Sequence, residues 1–422
     1  MGFFSFLDLS QPQLKSELDI SFDLTIPRTP LSNPISPITK QQCYSSRIPL
    51  EIIMMIMEAA YDEEDVESNR TLLKSLALVC IDWSFPAQRL LFRHVSLNSQ
   101  AHYVSFAYAT DRSTQRGRVL GDAVHTMRVS LDPNQPGHLS QLNFAEAVTH
   151  CPNLHELGIG LYGCVPPGDD IVGSPDSSRM RRPAPSFDEA AIALLRSGPS
   201  ITSLRFSNWS ENRQSITQLL HVWSSLKSLV ISGTPPELPS PISEPSPCTL
   251  EKLRMNFQTS PSVDFMRWLL HHSGNTLRAL EFEREPSTAV LHYLIHTHHA
   301  TLTSLSLPSC SRATARVLDK CTALRHFSVE DAISFPVALK KLEPRVEHVG
   351  FGLNKETSMQ TVLEAVKANE SIQSVTVNLW NGGKLHRQLS SLQMTCALRG
   401  IHLRITNDIQ VFRAIVRGAH MA

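Results

Sequence analysis

The chain has 422 residues, 41% of them apolar and 18% charged, which is enough to bury a sizeable core. Its 39 Lys and Arg balance 39 Asp and Glu, so net charge gives no reason to favour nucleic acid or an anionic membrane as partner. Eight scattered cysteines without a C-x-x-C pair, no signal-peptide pattern and no membrane-length apolar run point to a reducing, cytoplasmic or nuclear setting.

Residues 1–46 begin mildly amphipathic and end in a Pro- and Ser-rich stretch carrying Pro27, Pro30, Pro34 and Pro37. Proline at that spacing forbids a helix and does not fit a central strand, so a disordered linker is expected. Residues 47–97 read as a helical module. Pro49 suits a helix start, and Ile52, Ile53, Ile56 and Ala60 recur at helical spacing. An acidic interruption from Asp62 to Glu67 reads as a solvated loop. A second helix carries Leu72, Leu73, Leu76 and Val79, and a third, after Pro86, carries Leu90, Leu91 and Phe92. Three short helices make an undersized core, which is expected to lean on a neighbour or a partner.

An internal repeat dominates residues 98–405. The frame apolar-x-x-apolar-x-apolar starts at Val124, Leu154, Ile201, Leu226, Leu250, Leu277, Leu302, Leu324, Val346, Ile372 and Leu398. Most starts are 22 to 30 residues apart. That length holds a six-residue strand, a helix of about three turns and two short loops. Neither element buries its apolar face alone, so stacked units are expected to form an α/β solenoid with parallel strands on the concave side and helices on the convex side. The pattern resembles the leucine-rich-repeat family. The family's polar residue after the strand appears as Cys310 and Asn354, more weakly as Thr234 and Thr406, and is replaced at Trp209, Glu285 and Trp380. A Pro- and Gly-rich insert at about 163–186, with Arg179, Arg181 and Arg182, reads as a disordered loop, and a smaller Pro-rich excursion covers 234–247. Residues 406–422 are expected to be a cap or a tail.

Motifs for catalysis are missing: there is no phosphate-binding loop, dinucleotide fingerprint, H-E-x-x-H helix or G-x-S-x-G elbow. His292 and His296 stand four apart on a helix, but no further ligand completes a zinc set in sequence. No catalytic residue, metal or cofactor is expected, and the chain is read as a binding protein rather than an enzyme. The strand residues between the apolar frame positions face the concave side. Arg128, Arg205, Lys252, Arg254, Asn256, Glu281, Glu283, His326, Glu330, His402 and Arg404 are therefore the expected contacts to a protein target.

The stretch Ile48-Pro49-Leu50-Glu51-Ile52-Ile53, the segment from Leu76 through Val79-Cys80 to Trp83, and Leu90-Leu91-Phe92 resemble an F-box of the form abundant in mushroom-forming fungi. That resemblance implies docking to the Skp-type adaptor of a cullin–RING ubiquitin ligase. Ile48, Pro49, Leu50, Ile52, Ile53, Leu76, Val79 and Trp83 would supply the interface or the small core behind it. It makes the chain a substrate-recruiting subunit whose repeats bind an unidentified protein target. The alternative is a ligase-independent repeat scaffold in which the same helices only cap the first strand.

Overall fold

The computed structural model describes residues 48–61, 66–163, 184, 186–238, 244–339, 345–380 and 382–418. The chain divides into two units, Met1–Pro49 and Leu50–Ala422. Of the first, Ile48 and Pro49 fall among the described residues, and both are exposed. The expected linker lies outside them.

The second unit opens with α1 (Leu50–Ala60), α2 (Val66–Ala77) and α3 (Ile81–Leu91). Ile53 and Met57, one turn apart on α1, bury against Leu73 of α2 and Ala87 and Leu90 of α3. Two local expectations need correction. Residues 66 and 67, the end of the expected acidic loop, are already helical, and α3 starts before Pro86 rather than after it. An interior proline costs a helix about 3 kcal/mol. Here Pro86 lies on the same buried face as Ala87 and Leu90, and burial of that face outweighs the local penalty.

Next come β1 (His94–Leu97), α4 (Gln100–Ala109), α5 (Gln115–Ala123), β2 (Thr126–Leu131), α6 (Gln141–Thr149), β3 (Glu156–Tyr162), α7 (Glu189–Ser197), β4 (Ser203–Trp209), α8 (Ser215–Val222), β5 (Ser228–Gly233) and β6 (Lys252–Phe257). The array continues with α9 (Val263–Leu269), β7 (Ala279–Phe282), α10 (Thr288–His298), β8 (Ser304–Leu307), α11 (Arg312–Leu318), β9 (His326–Val329), α12 (Phe335–Leu339) and β10 (His348–Leu353). It closes with α13 (Gln360–Ala368), β11 (Ser374–Leu379), α14 (Leu389–Arg399), β12 (His402–Thr406) and α15 (Ile409–Gly418). Among the described residues twelve strands form one sheet in sequence order. Neighbours pair in parallel, as Leu229 with Leu253 and Ile231 with Met255 show.

The apolar frame explains the layering. Leu226, Leu229 and Ile231, and their equivalents in other units, are buried against the helix layer in one continuous core. Serine or aspartate starts many of the helices: Ser140, Asp188, Ser262, Ser287 and Ser311 each accept a backbone N–H three residues on. Each such cap contributes about 1 kcal/mol.

The frame is longer at its start and shifted at its end. Phe92-x-x-Val95-x-Leu97 is itself a frame, and His94–Leu97, assigned to the helical module from sequence, pairs with β2 as the first strand of the sheet. At the other end the frame at Leu398 is two residues out of register. Val375 pairs with Leu403 and Val377 with Ile405, so Gly400 takes the opening position while Leu398 sits exposed on α14. Gly400 adopts φ +66° as that helix ends, a conformation suited to glycine.

Residues 164–183 and 185 of the insert lie outside the described residues. Ala184 and Phe187 rejoin the core, with Phe187 centred 6.1 Å from Phe144. Between β5 and β6 no helix occurs among the described residues. The Pro-rich segment takes its place, burying Cys248 and accepting the Trp268 Nε1–H at the Glu244 carbonyl, 2.8 Å.

Candidate functional site

Two surfaces carry chemistry that the solenoid itself does not use. The first is on α1–α3. Of the adaptor-contact residues expected from sequence, Ile53 is buried in the module's own core, and Leu76 and Trp83 pack half-buried against it. Leu50, Ile52 and Val79 are exposed on the second unit, and Ile48 and Pro49 are exposed on the first. Sequence reasoning missed Met55 and Ile56 on α1, Leu78 between helices, and Ile81 and Phe85 on α3, all exposed. Leu78 and Ile81 are 86% and 88% accessible. The warning sign was the run Leu76–Ile81, five apolar residues and a cysteine, too wide for one buried helix face. Ile52, Met55 and Ile56 share a face of α1, as Ile81 and Phe85 do on α3.

Other groups anchor the module to the array. The Tyr61 ring stacks on His94 of β1 at 6.1 Å, and the Arg93 guanidinium lies 5.5 Å from the same ring. Arg116 donates to the Gln88 side chain at 2.8 Å, which ties α5 to α3. Capping of the first strand therefore uses groups distinct from the exposed aliphatic residues.

The second surface is the helix-free face of the sheet, where the expected target contacts fall. Arg128, Arg205, Lys252, His402 and Arg404 are exposed there. Arg205 pairs with Glu156 of the neighbouring strand at 2.9 Å. Arg254 lies 3.5 Å from Glu283, and Asn256 donates to the other Glu283 oxygen at 2.8 Å. His326 is half-buried, 6.1 Å from the ring of His348.

Glu281, Glu283 and Glu330 are not open to a target, because the chain's own C-terminal helix covers them. Instead of capping the array or trailing from it, α15 packs on β11 and β12. Its Phe412, 1% exposed, and Val416 stand over Gly350 of β10, where a Cβ would lie 3.2 Å and 3.1 Å from them. Arg413 donates to both Glu330 oxygens, Nε at 2.6 Å and Nη2 at 2.9 Å, and Nη1 reaches Glu283 at 3.3 Å. Arg417 forks onto Glu281 at 2.9 to 3.1 Å and reaches Glu283 at 3.5 Å. On β3 and β5 buried and half-buried positions alternate, whereas β8 and β10 are buried on both faces. Ser306, Ser328, His348, Thr376 and Asn378 are accordingly buried polar groups.

The cluster is neutral as built: Arg254, Arg413 and Arg417 face Glu281, Glu283 and Glu330. Burial lowers the Arg254 pKa and the charge of Arg417 adds to that, partly offset by Glu281 and Glu283. Burial also works against the Arg413 cation, but the hydrogen bonds and charge of Glu330, with Glu283 and Glu281 behind it, leave its pKa raised. Burial pushes the His348 imidazole down to about 4, helped by the charges of His326 and Arg404, with Nε2 3.0 Å from Thr376 Oγ1.

Three buried thiols are unreactive. Burial holds the Cys151 and Cys310 thiols near 12 and Cys321 near 11, so they stay protonated. His292 and His296 are exposed on α10, and among the described residues no group of three His, Cys, Asp or Glu is placed to hold a metal ion. Among the same residues no helix is long and apolar enough to cross a membrane.

A continuous parallel sheet with one strand per repeat, backed by helices, defines an irregular solenoid of leucine-rich-repeat architecture. No family model matches the chain, and no curated protein matches it. Similar solved structures include the crystal structure of a TLR13–ssRNA13 complex, at 12% identity and a TM-score of 0.34. The match covers 68% of this chain and 36% of that one, so this chain spans about a third of its length.

Proposed function

We propose that the chain is a substrate-recruiting F-box subunit of a cullin–RING ubiquitin ligase, with α1–α3 docking a Skp-type adaptor and the repeats binding a protein target. The observation that carries it is the set of aliphatic side chains left exposed by the very helices whose sequence resembles an F-box. Leu50, Ile52, Met55, Ile56, Val79 and Ile81 lie outside both the module core and the solenoid core. Clustered exposed aliphatics are what a partner covers. In this reading the chain does no chemistry itself. It holds the target near activated ubiquitin and so raises the effective concentration of the target's lysines.

Co-expression with a Skp-type adaptor followed by size-exclusion chromatography tests the proposal. The wild-type chain retains the adaptor, and Leu50→Glu with Ile52→Glu loses it while keeping the thermal stability of the wild type, because exposed substitutions shift stability by about 0.5 kcal/mol or less. Ile53→Ala is the contrasting control, a core truncation costing about 2–5 kcal/mol. A wild-type chain that fails to retain the adaptor removes the ligase reading and leaves a ligase-independent scaffold.

A further inference from the structure

The helix-free face between β7 and β11 has the make-up of a helix receptor. Its walls are acidic, with Glu281 and Glu283 at the end of β7 and Glu330 just past β9. Its floor is small: Gly350 on β10 beside Ser306 and Ser328, whose hydroxyls bond each other at 2.7 Å. A floor without bulk admits large side chains from above, and Phe412 uses that space.

The occupant matches in both shape and charge. Phe412 and Val416, four residues apart, point into the floor, and Arg413 and Arg417, also four apart, meet the walls. Yet α15 is not needed to complete the solenoid. The frame residues of β7–β11 belong to the core on the opposite face, which the repeat helices cover. Residues 407 and 408 are the whole connection between β12 and α15. Lifting α15 away leaves Arg254 as the cation paired with these three carboxylates among the described residues, a net charge of −2 (one cation, three anions) for the group. An undercompensated acidic groove attracts the next cationic helix of the same pattern.

We propose that this groove binds a cationic amphipathic helix of a partner protein, one with two arginines four residues apart beside an aromatic and an aliphatic residue, and that α15 is its built-in competitor. The proposal rests on the open face being the partner surface and is independent of adaptor docking by α1–α3. Partner affinity is then set by how often α15 is out, since apparent affinity scales with the competent fraction.

The test uses the full chain and a fluorescent peptide of residues 407–418, followed by anisotropy. Wild-type chain binds the peptide weakly. Arg413→Gln with Arg417→Gln, which unlatches the tethered helix, binds it at least about tenfold more tightly. Ala414→Pro, an exposed site where proline breaks the helix without touching the sheet, gives the same gain by another route. Adding Glu281→Gln and Glu330→Gln to either variant, or replacing both peptide arginines with glutamine, removes the gain. Equal peptide affinity in wild type and both unlatched variants overturns the proposal, as does a glutamine peptide that binds as well as the arginine one. Adaptor co-elution, measured on the same samples, is unchanged in every variant, so loss of groove binding and loss of adaptor docking are separate results.

Discussion

Replacing Arg413 with alanine isolates the strongest contact between α15 and the sheet. The Arg413 side chain is 12% exposed and the Glu330 side chain 10%, so the pair is screened little by solvent. Glu283 keeps Arg254 and Arg417 when Arg413 is removed, but among the described residues Glu330 keeps no cation. Removing one partner of a buried pair costs about 3–5 kcal/mol, most of it for the charge left behind. Detaching α15 to let water reach Glu330 gives up the burial of Phe412 and Val416, about 1.5–3 kcal/mol each. Opening also gives up the Arg417 pairing with Glu281, so the closed state persists in the variant, but the stranded carboxylate lowers the cost of opening by its own penalty.

Taking about 3 kcal/mol for the destabilisation, opening becomes roughly 100-fold more frequent, at about 1.4 kcal/mol per decade. Hydrogen–deuterium exchange reads this directly: amides 412–418 exchange about two decades faster in Arg413→Ala, and those of β2–β6 are unchanged. The companion variant, Arg413→Met with Glu330→Met, removes both charges and restores protection to within about tenfold of wild type, because replacing both members of a buried pair with apolar groups is close to neutral. Exchange in Arg413→Ala indistinguishable from wild type, or a double variant no better protected than the single, refutes the reasoning.

Two further outcomes are expected. His348 is held neutral in the folded chain, with its pKa near 4 against an ordinary 6.5. Its contribution is therefore complete above pH 6.5 and is lost as pH falls from 6.5 to 4, about 3 kcal/mol across that window. Denaturant midpoints measured from pH 7.5 to 4 show that acid limb, and His348→Gln reduces it by that amount, leaving the share of His125, His298 and His326, whose pKa values burial also lowers. Gly350→Val sets a branched side chain where even a Cβ meets Ser328, Val416 and Phe412 at 3.0 to 3.2 Å, which drives α15 off the sheet. Limited trypsin digestion then cuts after Arg413 and Arg417 at least about tenfold faster than in wild type, whereas Gly158→Ala, whose Cβ meets Arg128 Cγ at 3.4 Å, leaves the rate alone.

The repeat was legible in sequence because it is a local property. Alternating strand positions and a helix-length spacer must fit into each 22- to 30-residue unit, so the pattern is written wherever a unit occurs. The same looseness misplaced the last unit: Leu398, Ile401 and Leu403 satisfy the frame, but pairing with β11 selects Leu403 and Ile405 and leaves Leu398 in solvent. Reading residues 92–97 as the close of the helical module hid a strand, although Phe92, Val95 and Leu97 carry the frame plainly.

The candidate surfaces divide in the same way. Amphipathic spacing placed Ile53 and Ile52 on helix α1, yet only packing against α3 decides that one is core and the other free. Parity along the strands put Glu281, Glu283 and Glu330 on the helix-free face. Nothing local to them names their partners, which lie 83 to 136 residues further on. Contact across such separations is set by the superposition of many repeats, each adding its own rise and twist, and no sequence pattern encodes that sum. Sequence alone therefore determined a stacked strand–helix solenoid with a polar open face. The tertiary structure decided that the acidic centre of that face is covered, because α15 lands there with Phe412 and Val416 over the small floor and Arg413 and Arg417 on the three carboxylates.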